Sequence, residues 1–532
     1  MNSRTARLLR RLRHPRPVVS CALVLALIGA ASIVTLARPS ARSYVATRAQ
    51  ATNATNGTDL GPTQLKSITF VVTLNGSARP SCLLRWARSV PLSVKWSSGD
   101  SWAMITAAPK AIDRAFDVRI DNYRTAAGRV IFAANRAASI PAAACGEISG
   151  VGDLHSFVPP ATLDVPSGGL TRIDMVTAYD VAPLTEAGYL GQGETVVFIE
   201  VDGYKLSDLD TYASDEGLPG YHIVNLGKVP AAGGETEMDM ETVHAIAPDA
   251  REVYTDLYAE PGNTYGAVLV DAYSTAGQDF PGAIYTASLG FCETELFHKA
   301  DLVALNAVMM KNESKGSSSF ASSGDAGGLD CTPPADIGDA PAASYYGVEV
   351  PAVLPSVTGV GGTSLTTDAQ GNYVGETTWS EPLLAQGSGG GVSKWFARPS
   401  WQTGSGTGGQ LDTGNRRQVP DVAADADPDT GAFNIILGKQ SQDGGTSLAS
   451  PMWAGFTAVI DQALVHNGKK PVGFFNPILY HVANSSNAYP PFHEVTVGGN
   501  DEYLATPGYN MVTGLGSPDV YNLARDLLAD GY

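Results

Sequence analysis

The chain holds 532 residues, 44% of them hydrophobic and 17% charged, the balance of packed globular protein too long for one ordinary domain. Its formal net charge is −18, from 35 basic and 53 acidic residues, and six of the basic residues are arginines within the first sixteen positions. The remainder is acidic enough to exclude nucleic acid as an expected partner.

The predicted elements begin with a targeting segment over residues 1–37. Arg4, Arg7, Arg10, Arg11, Arg13 and Arg16 form a positive opening, residues 18–37 carry no charge, and Thr35-Leu36-Ala37 presents small residues suited to a signal peptidase. Export follows. The apolar run is about 20 residues, enough to span a bilayer, so a cleaved signal peptide and an uncleaved N-terminal anchor both fit it. Cys21 stands at the start of that run and not after it, which argues against a lipid anchor.

Residues 38–63, rich in Ala, Thr, Asn and Ser without apolar periodicity, read as a linker. Residues 64–156 form a first unit, opened by a strand at 67–74 and continued through 111–123 and 128–133. A second linker, 157–169, contains three prolines. From 170 to 532, strand candidates at 195–200, 282–288, 317–322 and 357–361 alternate with helical stretches, which predicts a mostly parallel sheet covered by helices on both faces. Glycine-rich loops at 386–392 and 404–414 interrupt the pattern. The backbone of the first, at Gly387–Gly391, has to pass close to something, for which an extended peptide is the expected occupant.

Leaving Cys21 aside, Cys82 and Cys145 lie in the first unit and Cys292 and Cys331 in the second. Export predicts one disulfide within each pair, against the alternative of buried free thiols. No Cys-x-x-Cys or His-x-x-x-His spacing supports a structural zinc site.

Two motifs carry chemistry. Gly444-Gly445-Thr446-Ser447-Leu448-Ala449-Ser450-Pro451 sets a serine on a small-residue turn leading into an apolar helical run at 452–463, the setting of a nucleophile at a helix N-terminus. Gly234-Glu235-Thr236-Glu237-Met238-Asp239-Met240-Glu241 offers carboxylates where a serine hydrolase usually keeps a histidine. On a helix, Glu235 and Asp239 stand at i and i+4, about 40° apart, so they share protons and titrate as a pair. Glu235 is then the base and later acid for Ser447, with Asp239 orienting it. Glu237 lies about 200° from Glu235 and reads as a solvated acid. His244 stands about 180° from Glu235 and is read as a structural or surface histidine. Asp325, between Gly324 and Gly327, suits a tight loop at a strand end, and its carboxyl can support an oxyanion only while protonated. Activity is therefore expected in acid.

From residue 170 onward the chain resembles the sedolisin family, the serine-carboxyl peptidases with a subtilisin-like fold. The resemblance is carried by Ile199-Glu200, by Gly234-Glu235-x-Glu237-x-Asp239-x-Glu241, by Ser288-Leu289-Gly290-Phe291-Cys292-Glu293 and by Ala321-Ser322-Ser323-Gly324-Asp325-Ala326-Gly327. It continues through Gly389-Gly390-Gly391-Val392-Ser393, Pro420-Asp421-Val422-Ala423-Ala424-Asp425, Gly445-Thr446-Ser447 and Thr513-Gly514-Leu515-Gly516-Ser517-Pro518. Residues 64–156 resemble the family's α+β pro-domain through Ala115-Phe116-x-Val118, Tyr123-Arg124, Gly128-Arg129 and Gly150-Val151.

The resemblance implies a peptidase made as a zymogen, with Ser447, Glu235, Asp239 and Asp325 as catalytic residues. It further implies Glu200 as an acid extending the carboxylate network, with Leu289 where a helping tryptophan is usual. The expected product is a secreted, monomeric acid endopeptidase acting on peptides or proteins, held inactive by its own pro-domain until cleavage within 157–169. A tripeptidyl-peptidase and a catalytically silent peptide-binding homologue are the alternatives. The resemblance also implies one calcium ion, on Glu494, Val495, Thr506, Gly508 and Asn510. Here Glu494 stands for a usual aspartate and Asn510 replaces a second one. A lost carboxylate weakens such a site, and a loop held by protein hydrogen bonds alone is the alternative.

Overall fold

Alternation along two strands explains how the N-terminal part of the chain is covered on both faces. The computed structural model describes residues 58–530, apart from 125–129, 137, 153, 155–168, 258–261, 295–297, 332–345, 382–385, 409–413 and 488. The targeting segment, residues 157–168 of the expected processing region and Gly128-Arg129 therefore lie outside the described residues. The first described element is β1 (Thr58–Pro62), followed by β2 (Ile68–Leu74), α1 (Ser81–Ser89), β3 (Leu92–Lys95), β4 (Trp102–Ala107) and α2 (Pro109–Phe116). β5 (Ile120–Arg124), β6 (Val130–Ala134) and β7 (Ile148–Val151) complete this part.

Its strands form an antiparallel sheet β3-β4-β2-β7 and a second sheet β1-β5-β6. Ile68, Phe70, Val72 and Leu74 of β2, with Ala103, Ile105 and Ala107 of β4, face the cluster that holds Leu83, Ile112 and Phe116 of the two helices. The intervening Val71, Trp102 and Met104 face the other way, as period-2 geometry requires, into the apolar cluster of the larger part of the chain. β1 corrects the reading of 38–63 as linker throughout. Its residues have no apolar periodicity because β1 is an edge strand, held by pairing with β5 and by the Arg119–Asp59 ion pair at 3.3 Å.

The larger part is built on β8 (Thr195–Glu200), β9 (Ile223–Leu226), β10 (Arg251–Asp256), β11 (Ile284–Ala287), β13 (Ser318–Ser322), β15 (Thr358–Thr367) and β16 (Tyr373–Thr378), with short β12 (Phe291–Cys292) and β14 (Glu349–Val350) pairing outside the sheet. The central order is β16-β15-β13-β11-β8-β10-β9, and β17 (Val422–Asp425) also pairs with β15. All these pairings are parallel except β15 with β16. Along β8, Val196 and Phe198 meet one apolar cluster while Val197 and Ile199 meet the other. The helices of the first face include α3 (Glu235–Ile246), α6 (Thr446–His466) and α7 (Val520–Asp530). α4 (Tyr265–Asp279) and α5 (Lys299–Glu313) supply the second. The expected α/β architecture, a mostly parallel sheet with helices on both faces, is what is observed.

The N-terminal sheet rests on α4 and α5. Beside the apolar contact, Lys311 pairs with the buried Asp100 at 2.7 Å, Lys95 pairs with Asp271 at 2.8 Å, and Thr69 exchanges backbone hydrogen bonds with Gly262 and Thr264. The cysteines are joined as expected, Cys82 to Cys145 and Cys292 to Cys331.

Phe116 is fully buried and meets Phe70 edge-on at 5.2 Å and Trp86 at 5.8 Å. Phe116→Ala is expected to cost about 3–5 kcal/mol through the cavity it leaves, read as lost hydrogen-exchange protection in β2 and β4. Unchanged protection there would contradict this core.

Candidate active site

The ends of parallel strands bring the predicted residues together. Glu200 is the last residue of β8, Ser288 follows β11, and Asp325 follows β13 by three positions. α3 starts at Glu235 and α6 starts one residue before Ser447, so both helices open toward the same strand ends, where α/β sheets gather ligands. The two helices pack closely because position 455 is glycine: a Cβ there would stand 3.0 Å from the Cβ of Ile246.

All twelve residues of α3 are buried, including Glu235, Glu237, Asp239 and Glu241. An N-terminal turn without solvent needs acceptors, and Asp202 provides them. Its carboxylate accepts from the backbone N–H of Glu235 (3.2 Å) and Thr236 (3.1 Å), and from the Thr236 hydroxyl at 2.5 Å. The Thr236 hydroxyl also lies 3.3 Å from Glu200 Oε2. Asp202 was not singled out from sequence, and its place two residues after the strand-end Glu200 was the available signal.

Burial raises the pKa of these carboxyls. Desolvation pushes Glu235 up to about 8, opposed by its interaction with the Ser447 hydroxyl and reinforced by Asp202, Asp325 and Asp443. Glu200 and Asp239 are held well above the usual carboxylate range, first by desolvation, then by repulsion from their neighbours. Each of the two bears on the other's ionisation, so they titrate as a coupled pair. Ser447, Glu235, Asp239 and Glu200 thus form one buried chain of hydroxyl and carboxyls.

Asp325 stands beside the N-terminus of α6. Its Oδ1 accepts from the N–H and the hydroxyl of Thr446, both at 2.8 Å. A Cβ on Gly445, whose φ is +90°, would come 2.8 Å from Asp325 Oδ2. Glycine at 445 therefore lets the Ser447 turn lie against this carboxyl. Burial raises the Asp325 pKa, against the two Thr446 hydrogen bonds.

Two further acids back Asp325, and sequence reasoning missed both. Asp330 Oδ1 accepts from Ala326 N at 2.8 Å, and Glu349 enters on β14, opposite Cys292 in the pairing with β12. Burial holds each well above its ordinary pKa, with repulsion from Asp325 and, on Glu349, from Asp330. Asp330 immediately precedes Cys331, so the Cys292–Cys331 disulfide ties the Asp330 segment to β12, the strand that pairs with Glu349's β14.

The loop at 386–392 corrects one expectation. Its glycines approach the protein itself and not an extended peptide: Gly389 N donates to Gly324 O (2.7 Å), Ser323 Oγ donates to Gly389 O (2.7 Å), and a Cβ on Gly389 would lie 2.4 Å from Asp330 Oδ2. Glu237 is a second correction. It points away from Ser447 as predicted, yet it is fully buried and accepts from Lys205 N at 3.1 Å, because α3 has no solvent face. His244 is structural, stacked on Tyr221 at 3.9 Å, with Nε2 2.8 Å from Pro219 O and Nδ1 2.9 Å from Glu252. Cavities of about 450 Å³ beside Lys95, Met104 and Asp271, and of about 330 Å³ beside Asn484, Phe492 and Glu494, are lined by none of the catalytic candidates.

The residues expected to hold calcium do not fit that role. Asn510 turns its side-chain NH2 toward Val495 O and Thr506 O, 3.3 Å from each, and Glu494 accepts from Gly508 N. A different trio, Glu381, Asp427 and Asp429, has carboxylate oxygens within 4.8 Å of one another and could hold a metal ion.

No family model matches the chain. It is 32% identical over 381 residues to kumamolisin of Bacillus sp. (strain MN-32), covering 67% of this chain and 63% of that protein. To sedolisin of Pseudomonas sp. (strain 101) it is 30% identical over 384 residues, covering 68% and 62%. The solved structure of Pseudomonas sedolisin, described as a serine-carboxyl proteinase complexed with two molecules of pseudo-iodotyrostatin, superposes with a TM-score of 0.59 at 28% identity, covering 69% of this chain and all of that one. The chain belongs to the sedolisin family. A more distant member, tripeptidyl-peptidase 1 of Homo sapiens, is 27% identical over 322 residues, covering 56% of this chain and 52% of that protein. The alignments with kumamolisin and sedolisin span less than two thirds of those curated members' own length.

Raised carboxyl pKa values set the sign of the pH dependence of stability. The folded protein keeps protons that the unfolded chain releases near pH 4.5, so stability is full below that pH and falls as pH rises toward 8. Glu237, pushed up to about 7 by burial, isolates one share of this effect. Glu237→Gln is expected to flatten the fall in unfolding midpoint between pH 4.5 and 8, by roughly 3 kcal/mol at most. An unchanged slope would mean that Glu237 ionises alike in both states.

Proposed function

We propose that this protein is a secreted, acid-active serine-carboxyl endopeptidase made as a zymogen. The observation that carries the reading is the interaction of the Ser447 hydroxyl with the Glu235 carboxyl at the head of a buried carboxyl chain. Ser447 Oγ attacks the carbonyl carbon of the scissile peptide while its proton passes to Glu235. Glu235 then protonates the leaving amine as the C–N bond breaks, and activates the water that hydrolyses the acyl-enzyme. Asp239 and Glu200 hold the neighbouring proton and keep the negative charge directed to Glu235. Asp325 donates a hydrogen bond from its protonated carboxyl to the developing oxyanion. No step uses a metal.

The pH profile follows from coupling. The first ionisation belongs to the carboxyl chain as a whole and generates the base. The ionisation of Asp325 removes the oxyanion donor and closes the window at higher pH. Residues 64–156 act as the pro-domain and intramolecular inhibitor, 157–169 carries the processing site, and 170–532 is the peptidase domain. Docking of Val71, Trp102 and Met104 on the face of α4 and α5 supports an intimate role for the first of these. Export through residues 1–37 agrees with two joined disulfides. Peptides and unfolded proteins are the substrates, and the chain acts as a monomer. Relationship to a tripeptidyl-peptidase favours a second reading, release of tripeptides from free N-termini, which an N-terminally blocked peptide separates from endopeptidase action.

Ser447→Ala and Glu235→Gln are expected to lower kcat by at least about 10³-fold, and Asp325→Ala by about 10²–10³-fold. Asp325→Asn keeps an N–H donor at every pH. It should retain more activity than Asp325→Ala and carry the high-pH limb upward. An Asn variant with the wild-type limb would remove Asp325 from the oxyanion role, and wild type inactive toward a denatured protein across the acid range would contradict the peptidase reading.

A further inference from the structure

We infer that the side-chain amide of Asn510 takes the place of a metal ion, so that the loop between Glu494 and Asn510 is completed without calcium. The family resemblance expected Glu494, Val495, Thr506, Gly508 and Asn510 to converge on one cation, and oxygens of Glu494, Val495, Thr506 and Asn510 are engaged otherwise. Val495 O and Thr506 O both receive the Asn510 NH2 group, at 3.3 Å each. Asn510 Oδ1 accepts from Val512 N (3.1 Å), Thr513 N (2.9 Å) and the Thr513 hydroxyl (3.2 Å). These three donors fix which end of the amide is oxygen, since a flipped side chain would set an NH2 group against them and an oxygen against two carbonyls. The remaining carboxylate, Glu494, is exposed and accepts from Gly508 N. Backbone hydrogen bonds between Asn510 and Gly514, at 3.1 and 2.9 Å, close the same turn.

Charge leads to the same conclusion. Calcium sites gain affinity from carboxylate ligands, and a divalent cation against one exposed carboxylate would leave uncompensated charge beside the buried Asn510 and Val495. A neutral amide brings two N–H groups to the same carbonyls with no such cost. An aspartate at 510 would reverse this, setting a carboxylate oxygen against Val495 O and Thr506 O with no proton or cation between them. The identity of residue 510 therefore decides whether the loop depends on a metal.

The test is thermal unfolding of the full wild-type chain and of Asn510→Asp in excess EDTA and in millimolar calcium chloride. Wild type should unfold within about 1 °C of the same midpoint in both. Asn510→Asp should unfold several degrees lower in EDTA and recover in calcium. Glu494→Gln in the wild-type background locates any calcium effect that wild type does show. A calcium-dependent rise abolished by Glu494→Gln overturns the inference, and a rise that survives it comes from another site and leaves this loop metal-free. The wild-type comparison decides the matter even where Asn510→Asp does not fold.

Discussion

A carboxylate cannot be buried both ionised and unpaired at bearable cost, and this protein buries many in one place. Helix α3 has no solvent face, yet it carries Glu235, Glu237, Asp239 and Glu241. Each must hold a proton, find N–H donors, or share a proton with a neighbour. Asp202 takes up the free N–H groups at the helix start, Glu237 takes Lys205 N, and Glu241 takes Ile435 N and the Asn434 amide. What remains is the run Glu235, Asp239, Glu200, whose needs are met by protons and by the hydroxyls of Ser447, Ser288 and Thr236. The candidate chemistry is thus a consequence of burial: the same desolvation that makes the site costly at neutral pH keeps carboxyls protonated in acid.

The oxyanion side repeats this arrangement. Asp325 and Asp330 of one loop and Glu349 of β14 are buried acids with no basic side chain among the groups that perturb them. Elsewhere the same chain pairs a buried acid with a base, as Asp421 does with the fully buried Arg417. There an arginine faces the acid, whereas the groups that perturb Asp325, Asp330 and Glu349 are other acids and hydrogen-bond donors without charge.

Much of the site was legible from sequence because it rests on local spacing. Glu235 and Asp239 are one helical turn apart, Ser447 follows two glycines and opens an apolar helix, and Asp325 sits in a glycine-flanked turn. The alternation of strands and helical stretches gave the sheet. What stayed hidden depends on partners far along the chain. The burial of Glu237 requires every face of α3 to be covered, and the part of Asp202 requires β8 to end beside α3. Glu349 meets Asp325 only through the fold, whereas Asp330 stands five residues from it in the same loop. The glycines at 389–390 looked like a peptide-binding edge because sequence reveals a close approach without saying to what. Residue 510 was visible as an unusual asparagine, but its meaning lies in two carbonyls from positions 495 and 506.

The central claim, that the carboxyls around Ser447 keep shared protons through the acid range while one charge among them serves as base, is tested most directly by infrared difference spectroscopy. Protonated carboxyl C=O bands would be followed from pH 4 to 8 in wild type and in Asp239→Asn. The account predicts buried, protonated carboxyl bands that persist to about pH 7 and change in number and position in Asp239→Asn. Loss of every such band by about pH 5, with no change in the variant, would contradict it.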